Sequence, residues 1–147
     1  MRRPLAIQMR TAIFPARYKH LEEMRQFAVQ AAKDAGMDDT EIYAVELAVD
    51  EACTNIIEHA YGVESGGEIE CTCDAEDDRL TIMLRDHGKP FKPSTLAEPD
   101  LSSDLDKRRP GGLGVYLMQQ LMDEVRFESL GEAGNLLTMV KHRGHKY

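Results

Sequence analysis

The chain has 147 residues, 42% of them hydrophobic and 30% charged, and carries a net charge of −8 at pH 7. That length and apolar share suit one folded domain with a real core, spanning residues 1–147, and argue against disorder. The acidic balance, with no basic stripe along any predicted element, excludes phosphate-backbone binding by the chain as a whole, although a few local donors suffice for a nucleotide.

The three cysteines are Cys53, Cys71 and Cys73. Cys53 falls on an apolar helix stripe, while Cys71 and Cys73 sit two apart and share one strand face. The count is odd and lacks the spacing of a four-ligand metal site, so they read as buried thiols of a reducing compartment. Met1-Arg2-Arg3-Pro4 is basic, but no apolar segment of signal-peptide length follows, and no run approaches membrane-spanning length. A cytoplasmic location is expected.

In chain order, Leu5 to Phe14 alternates loosely and ends at Pro15, which predicts a first strand. From Tyr18 to Ala35 the apolar positions Leu21, Met24, Phe27, Ala28, Ala31 and Ala32 give a helix stopped by Gly36. Asp38, Asp39 and Thr40 offer N-caps for a second helix that runs to Tyr61 and stops at Gly62. Glu68 to Ala75 and the Leu80-Ile82-Leu84 segment form a hairpin around Asp77-Asp78. Lys92 to Pro110 has little periodicity, and an aperiodic loop of that length is commonly a functional lid. A third helix carries Val115, Leu117, Met118, Leu121 and Met122, and Val125–Ser129 with Leu136–Lys141 make a closing hairpin across Gly131–Gly134. Strands grouped in hairpins with few helices between them predict an α+β fold, helices packed on one face of a largely antiparallel sheet.

Three motifs carry chemistry. On the second helix Val45, Ala48, Val49, Ala52, Cys53, Ile56 and Ala60 make the core stripe, and Glu51, Asn55 and His59 stack on an adjoining face. An Asn oxygen is a hard ligand suited to magnesium, and a Glu one turn earlier could accept a proton from a hydroxyl; an exposed face with an incidental Asn is the plain alternative. Asp86-x-Gly88 ends a strand, where a carboxylate can accept from an exocyclic amine such as that of adenine and a glycine admits a flat base; a simple β-turn would look the same. Gly111-Gly112-Leu113-Gly114 opens a helix, exposing backbone N–H groups at its positive end, with Arg108 and Arg109 just before it; phosphates fit there, and so would a lid hinge. It is neither a P-loop nor a dinucleotide fingerprint, because no Gly-Lys-Ser/Thr is present and no strand precedes it.

Taken together, Glu51-Ala52-Cys53-Thr54-Asn55-Ile56-Ile57-Glu58-His59-Ala60-Tyr61, Asp86-His87-Gly88-Lys89-Pro90-Phe91 and Gly111-Gly112-Leu113-Gly114-Val115-Tyr116-Leu117-Met118 resemble the bacterial anti-sigma-factor serine/threonine kinases of the histidine-kinase-like (GHKL) ATPase superfamily. Leu121-Met122-Asp123-Glu124-Val125 adds to the likeness, which covers nearly the whole chain. The resemblance implies a two-layer sandwich of a mostly antiparallel mixed sheet under helices, with a nucleotide lid at about residues 92–110. It implies ATP and magnesium as cofactors, with Asn55 holding the ion and Glu51 as the general base toward a serine of a small antagonist protein. Asp86 would receive the adenine amine beside Gly88, and Gly112 and Gly114, flanked by Gly111 and Leu113, would meet the phosphates. It further implies a sigma factor as partner, partner switching through antagonist phosphorylation, a homodimer, and no direct contact with nucleic acid or membrane. One departure stands out: the family's usual Gly-Thr near the last strand is here Gly134-Asn135, which puts base affinity and selectivity in question. The competing expectation is a non-catalytic ATP-binding module whose nucleotide only orders a protein-binding surface.

Overall fold

The computed structural model describes residues 8–62, 66–90 and 112–144. In chain order these form β1 (Gln8–Pro15), α1 (Leu21–Asp34), α2 (Asp39–Asn55), β2 (Glu68–Ala75), β3 (Arg79–Asp86), α3 (Gly112–Leu121), β4 (Glu124–Ser129) and β5 (Asn135–His142). The first strand begins at Gln8 among the described residues; the expected start at Leu5 and the lid at 92–110 lie outside them.

The strands make one sheet in the order β1-β2-β3-β5-β4. All four pairings among the described residues are antiparallel, as expected of a largely antiparallel sheet. β3 and β4 run in the same direction, but β5 lies between them and is antiparallel to both. One face of the sheet is apolar by strict alternation: Ile69, Cys71, Cys73 and Ala75 of β2, Leu80, Ile82 and Leu84 of β3, and Leu137 and Met139 of β5 are buried. The helices cover this face with Met24, Ala28 and Ala31 of α1, Val45, Ala48, Val49 and Ala52 of α2, and Val115 and Met118 of α3.

Helix α2 starts at a capping box. The Asp38 carboxylate accepts from the Glu41 N–H at 2.8 Å, and the Glu41 carboxylate accepts from the Asp38 N–H at 2.9 Å. Its far end differs from the uninterrupted helix the sequence suggests. The α-helix ends at Asn55, and Ile56–Ala60 form a π-helical turn, closed by Tyr61 N–H donating to Ile56 O at 3.1 Å. The wider turn fits one extra residue into the helix, and such turns recur at functional sites. Here it directs the carbonyl of Ala60 at the loop after β3, where the Lys89 N–H donates to it at 2.6 Å.

Candidate functional site

A cleft forms between α2 with its π turn and the start of α3, while the loop after β3 packs on the π turn at Ala60 and does not line the cleft. The cleft, of about 230 Å³, is lined by Glu51, Thr54, Asn55, Glu58, His59, Gly114 and Leu117. Glu51, Asn55 and His59 of the helix motif and Gly114 of the glycine box, 55 or more residues apart in the sequence, thus line one cleft. Glu51 is half-buried, and its Oε2 lies 2.9 Å from where a side chain on Gly114 would begin. Burial, followed by the charges of Asp50 and Glu58, holds the Glu51 carboxyl above its ordinary value. A carboxylate made more basic in this way is a better proton acceptor.

Asn55 is 8% exposed, and its carboxamide has no hydrogen-bond partner among the described residues. A buried amide normally finds a partner, so an open one facing a cleft is available to a ligand. No group of three or more His, Cys, Asp or Glu side chains converges among the described residues, which excludes an all-protein metal cage there. Magnesium needs none, since it keeps waters and substrate phosphates around one or two protein oxygens. The donor set therefore fits that ion. His59, which the sequence stacks on the same row, also lines the cleft; its Nε2 is buried with no hydrogen-bond partner among the described residues and lies 3.9 Å from a Glu58 oxygen.

Asp86 lies at the end of the β3 core row, after Leu80, Ile82 and Leu84, and is 1% exposed. Its Oδ1 accepts from Gly88 N–H at 2.9 Å and from the Asn135 side chain at 2.9 Å. Burial pushes its carboxyl above the ordinary range, and the two hydrogen bonds work against that rise. Gly88 is packed so closely on the π turn that a Cβ there would lie under 3.0 Å from the O, C and Cβ of Ala60. Gly134, at φ +91°, brings the start of β5 onto the Asp86 carbonyl, where no side chain would fit.

Two contributors were not legible as such. Tyr61 closes the corner: its hydroxyl donates to Glu68 O at 2.7 Å and accepts from His87 N–H at 3.0 Å, tying α2 to both β2 and the Asp86 loop. Asn135, read in the sequence as a departure, is the register partner of Asp86 across β3 and β5. Period-2 counting places both at the ends of core-facing rows, a signal that could have paired them. Gly112 opens α3, with Leu113 after it, while Arg108, Arg109 and Gly111 lie outside the described residues.

The model of the histidine kinase-like ATPase domain family matches residues 14–141. The serine-protein kinase RsbW of Bacillus subtilis is 34% identical over 132 residues, covering 87% of this chain and 81% of that protein. RsbW of Bacillus licheniformis is 34% identical over 131 residues, covering 86% and 81%. Among solved structures, the RsbU and RsbW domains of Rv1364c from Mycobacterium tuberculosis superpose with a TM-score of 0.62 at 18% identity, over 94% of this chain and 34% of that one. The catalytic domain of the histidine kinase ThkA gives 0.54 at 13% identity, over 91% and 98%. At such identities the structures share the fold, while the sequence matches carry the kinship: this chain belongs to the histidine kinase-like ATPase family, and within it to the RsbW serine-protein kinases.

Proposed function

We propose that the cleft binds ATP and transfers its terminal phosphoryl group to a serine or threonine hydroxyl of a small antagonist protein, and that the chain in its other state holds a sigma factor. Supporting this reading is one observation above all: Asn55, whose carboxamide has no hydrogen-bond partner among the described residues, and the half-buried Glu51 line one cleft with Gly114 of the first turn of α3. In this reading Glu51 takes the proton of the substrate hydroxyl, the freed oxygen attacks the terminal phosphorus, and ADP leaves. Asn55 would hold magnesium, which when bound offsets charge on the phosphates. The N–H groups at the start of α3, from Gly112 to Gly114, together with Gly111, Arg108 and Arg109, would face those phosphates. Asp86 would take the adenine amine, with Gly88 against the ring.

The test is phosphoryl transfer from labelled ATP to a candidate antagonist domain, alongside thermal stabilisation by ATP and magnesium. Glu51→Ala is expected to cut transfer by about 100- to 10,000-fold while ATP still stabilises the protein. Undiminished transfer by that variant removes Glu51 as the base. Stabilisation without transfer by the unaltered chain makes it a binding module, and the absence of stabilisation removes the nucleotide site.

We propose that a homodimer would use the sheet face away from the helices. On the edge strand β1, Met9 is 63% and Ile13 57% exposed, and both lie on that face. Two large apolar side chains on one exposed edge are costly to leave in water. Sedimentation of Ile13→Asp should give a monomer; a dimer of unchanged strength moves the interface elsewhere. No helix among the described residues is long and apolar enough to cross a membrane, and a cytoplasmic location accords with the three buried free thiols.

A further inference from the structure

Asn135 is 2% exposed, and its side-chain nitrogen lies 2.9 Å from Asp86 Oδ1, 2.9 Å from Lys89 O and 3.3 Å from Gly88 O. All three neighbours are acceptors. The opposite amide orientation would set an oxygen against a carboxylate and two carbonyls, so the nitrogen must point this way. The carboxamide thus spends its two hydrogens bridging the strand-end carboxylate to the loop that carries Gly88. A single hydroxyl at this position, with one hydrogen to give, could not bond both sides at once.

The bridge has a consequence for the free oxygen of Asp86. Oδ1 is saturated by Gly88 N–H and Asn135, while Oδ2 has no hydrogen-bond partner among the described residues. With both donors on one oxygen, the carboxylate plane is fixed and the other oxygen remains an acceptor only. Such an atom pairs with an exocyclic amine and repels a carbonyl at the same place on a purine. The two loop carbonyls held by Asn135 belong to Gly88 and Lys89, so the same side chain fixes the loop against which a ring would stack in the nucleotide reading.

We infer that Asn135 is a positioning residue that sets base selectivity: it clamps Asp86 Oδ1 and the Gly88–Lys89 loop so that Asp86 Oδ2 reads the amine of adenine. The inference rests on the nucleotide reading proposed above. The departure that put base affinity and selectivity in question is then a substitute clamp with one more donor.

The experiment measures binding of ATP and of purine riboside triphosphate, which lacks only the exocyclic amine, to the full chain and two variants. In the unaltered protein, loss of the amine should weaken binding about tenfold or more, the usual worth of a hydrogen bond to a charged group. Asn135→Leu, similar in size but without donors, should bring the two nucleotides within about twofold of each other, since the amine loses its fixed acceptor. Asn135→Ser, which keeps one donor, should fall between. If Asn135 only supports the fold, the variants weaken both nucleotides by the same factor and the ratio stays at its original value; that result overturns the inference. Should Asn135→Leu fail to fold, the ratio in Asn135→Ser decides: reduced supports the clamp, unchanged refutes it. An unaltered protein that binds both nucleotides equally instead removes the reading of Asp86 as the base acceptor, and a protein that binds neither removes the nucleotide site.

Discussion

Replacing Gly88 with alanine probes the seam between the π turn and the Asp86 loop. An added Cβ would lie under 3.0 Å from the O, C and Cβ of Ala60, where ordinary contact starts at 3.4 Å. All three atoms belong to the main chain or its first side-chain carbon, so no flexible side chain can swing aside. The loop must lift, and the 2.6 Å bond from Lys89 N–H to Ala60 O is the first to go. Overpacking costs about 1–3 kcal/mol and a lost hydrogen bond about 1 kcal/mol, giving about 2–4 kcal/mol in all. For a chain of this size that lowers the melting midpoint by about 4–16 °C. Circular dichroism on heating reads the shift, with Gly66→Ala as control, because a side chain there would meet nothing within 4 Å. With adenine placed against Gly88 as proposed, ATP affinity should fall as well, since that loop moves. A Gly88→Ala protein that melts within about 2 °C of the unaltered chain, and binds ATP equally well, would refute the close approach and the coupling built on it.

Asp86→Asn keeps an oxygen to accept from Gly88 and Asn135 but can present a donor where an acceptor is needed, so ATP affinity should drop about tenfold or more while the melting midpoint at pH 7 holds or rises. The sign follows from burial, which raises the folded-state pKa of Asp86; the penalty for ionising it grows as pH climbs past the unfolded carboxylate value of about 3.9 and vanishes below it. The stability difference between variant and parent should therefore close on acidification, and a gap that widens toward acid contradicts the argument. All three cysteines are buried and free, and the Cys53 thiol is pushed up to about 12 by burial. Thiol reagents at pH 8 should label none of them in the folded protein and all three in denaturant; rapid labelling of the native state would show the core opening on that timescale.

Much of the fold was legible because its elements obey one period each. The alternation of Ile69-Cys71-Cys73 and Leu80-Ile82-Leu84 marks core-facing strand positions, and the Val45-Val49-Cys53-Ile56 stripe marks α2. The capping role of Asp38 was equally local. What escaped reading depends on contacts between distant segments. Nothing near Ile56 announces a π turn; the bulge is set by Ala60 meeting Lys89 and by Tyr61 reaching Glu68 and His87. The insertion of β5 between β3 and β4 is likewise decided by pairing rather than local pattern, and so the partnership of Asp86 with Asn135 was missed. The motifs of the site were visible as residue types and spacing, yet the open carboxamide of Asn55 and the approach of Glu51 to Gly114 are facts of packing.

The placement of β5 also orders events during synthesis. Residues 8–86 can form β1, both long helices, β2 and β3 as a sheet of neighbouring strands as they emerge. β4 has no strand to pair with until β5 arrives, because its described pairing is to β5 alone. Asn135 opens that strand, so a nascent chain that has released Glu51, Asn55 and Asp86 still lacks the side chain proposed to clamp Asp86. Long-range closure of this kind is slow, and under the proposed function it makes base selectivity a readout of finished folding: a ribosome-bound chain arrested before residue 135 should be unable to tell ATP from its amine-free analogue.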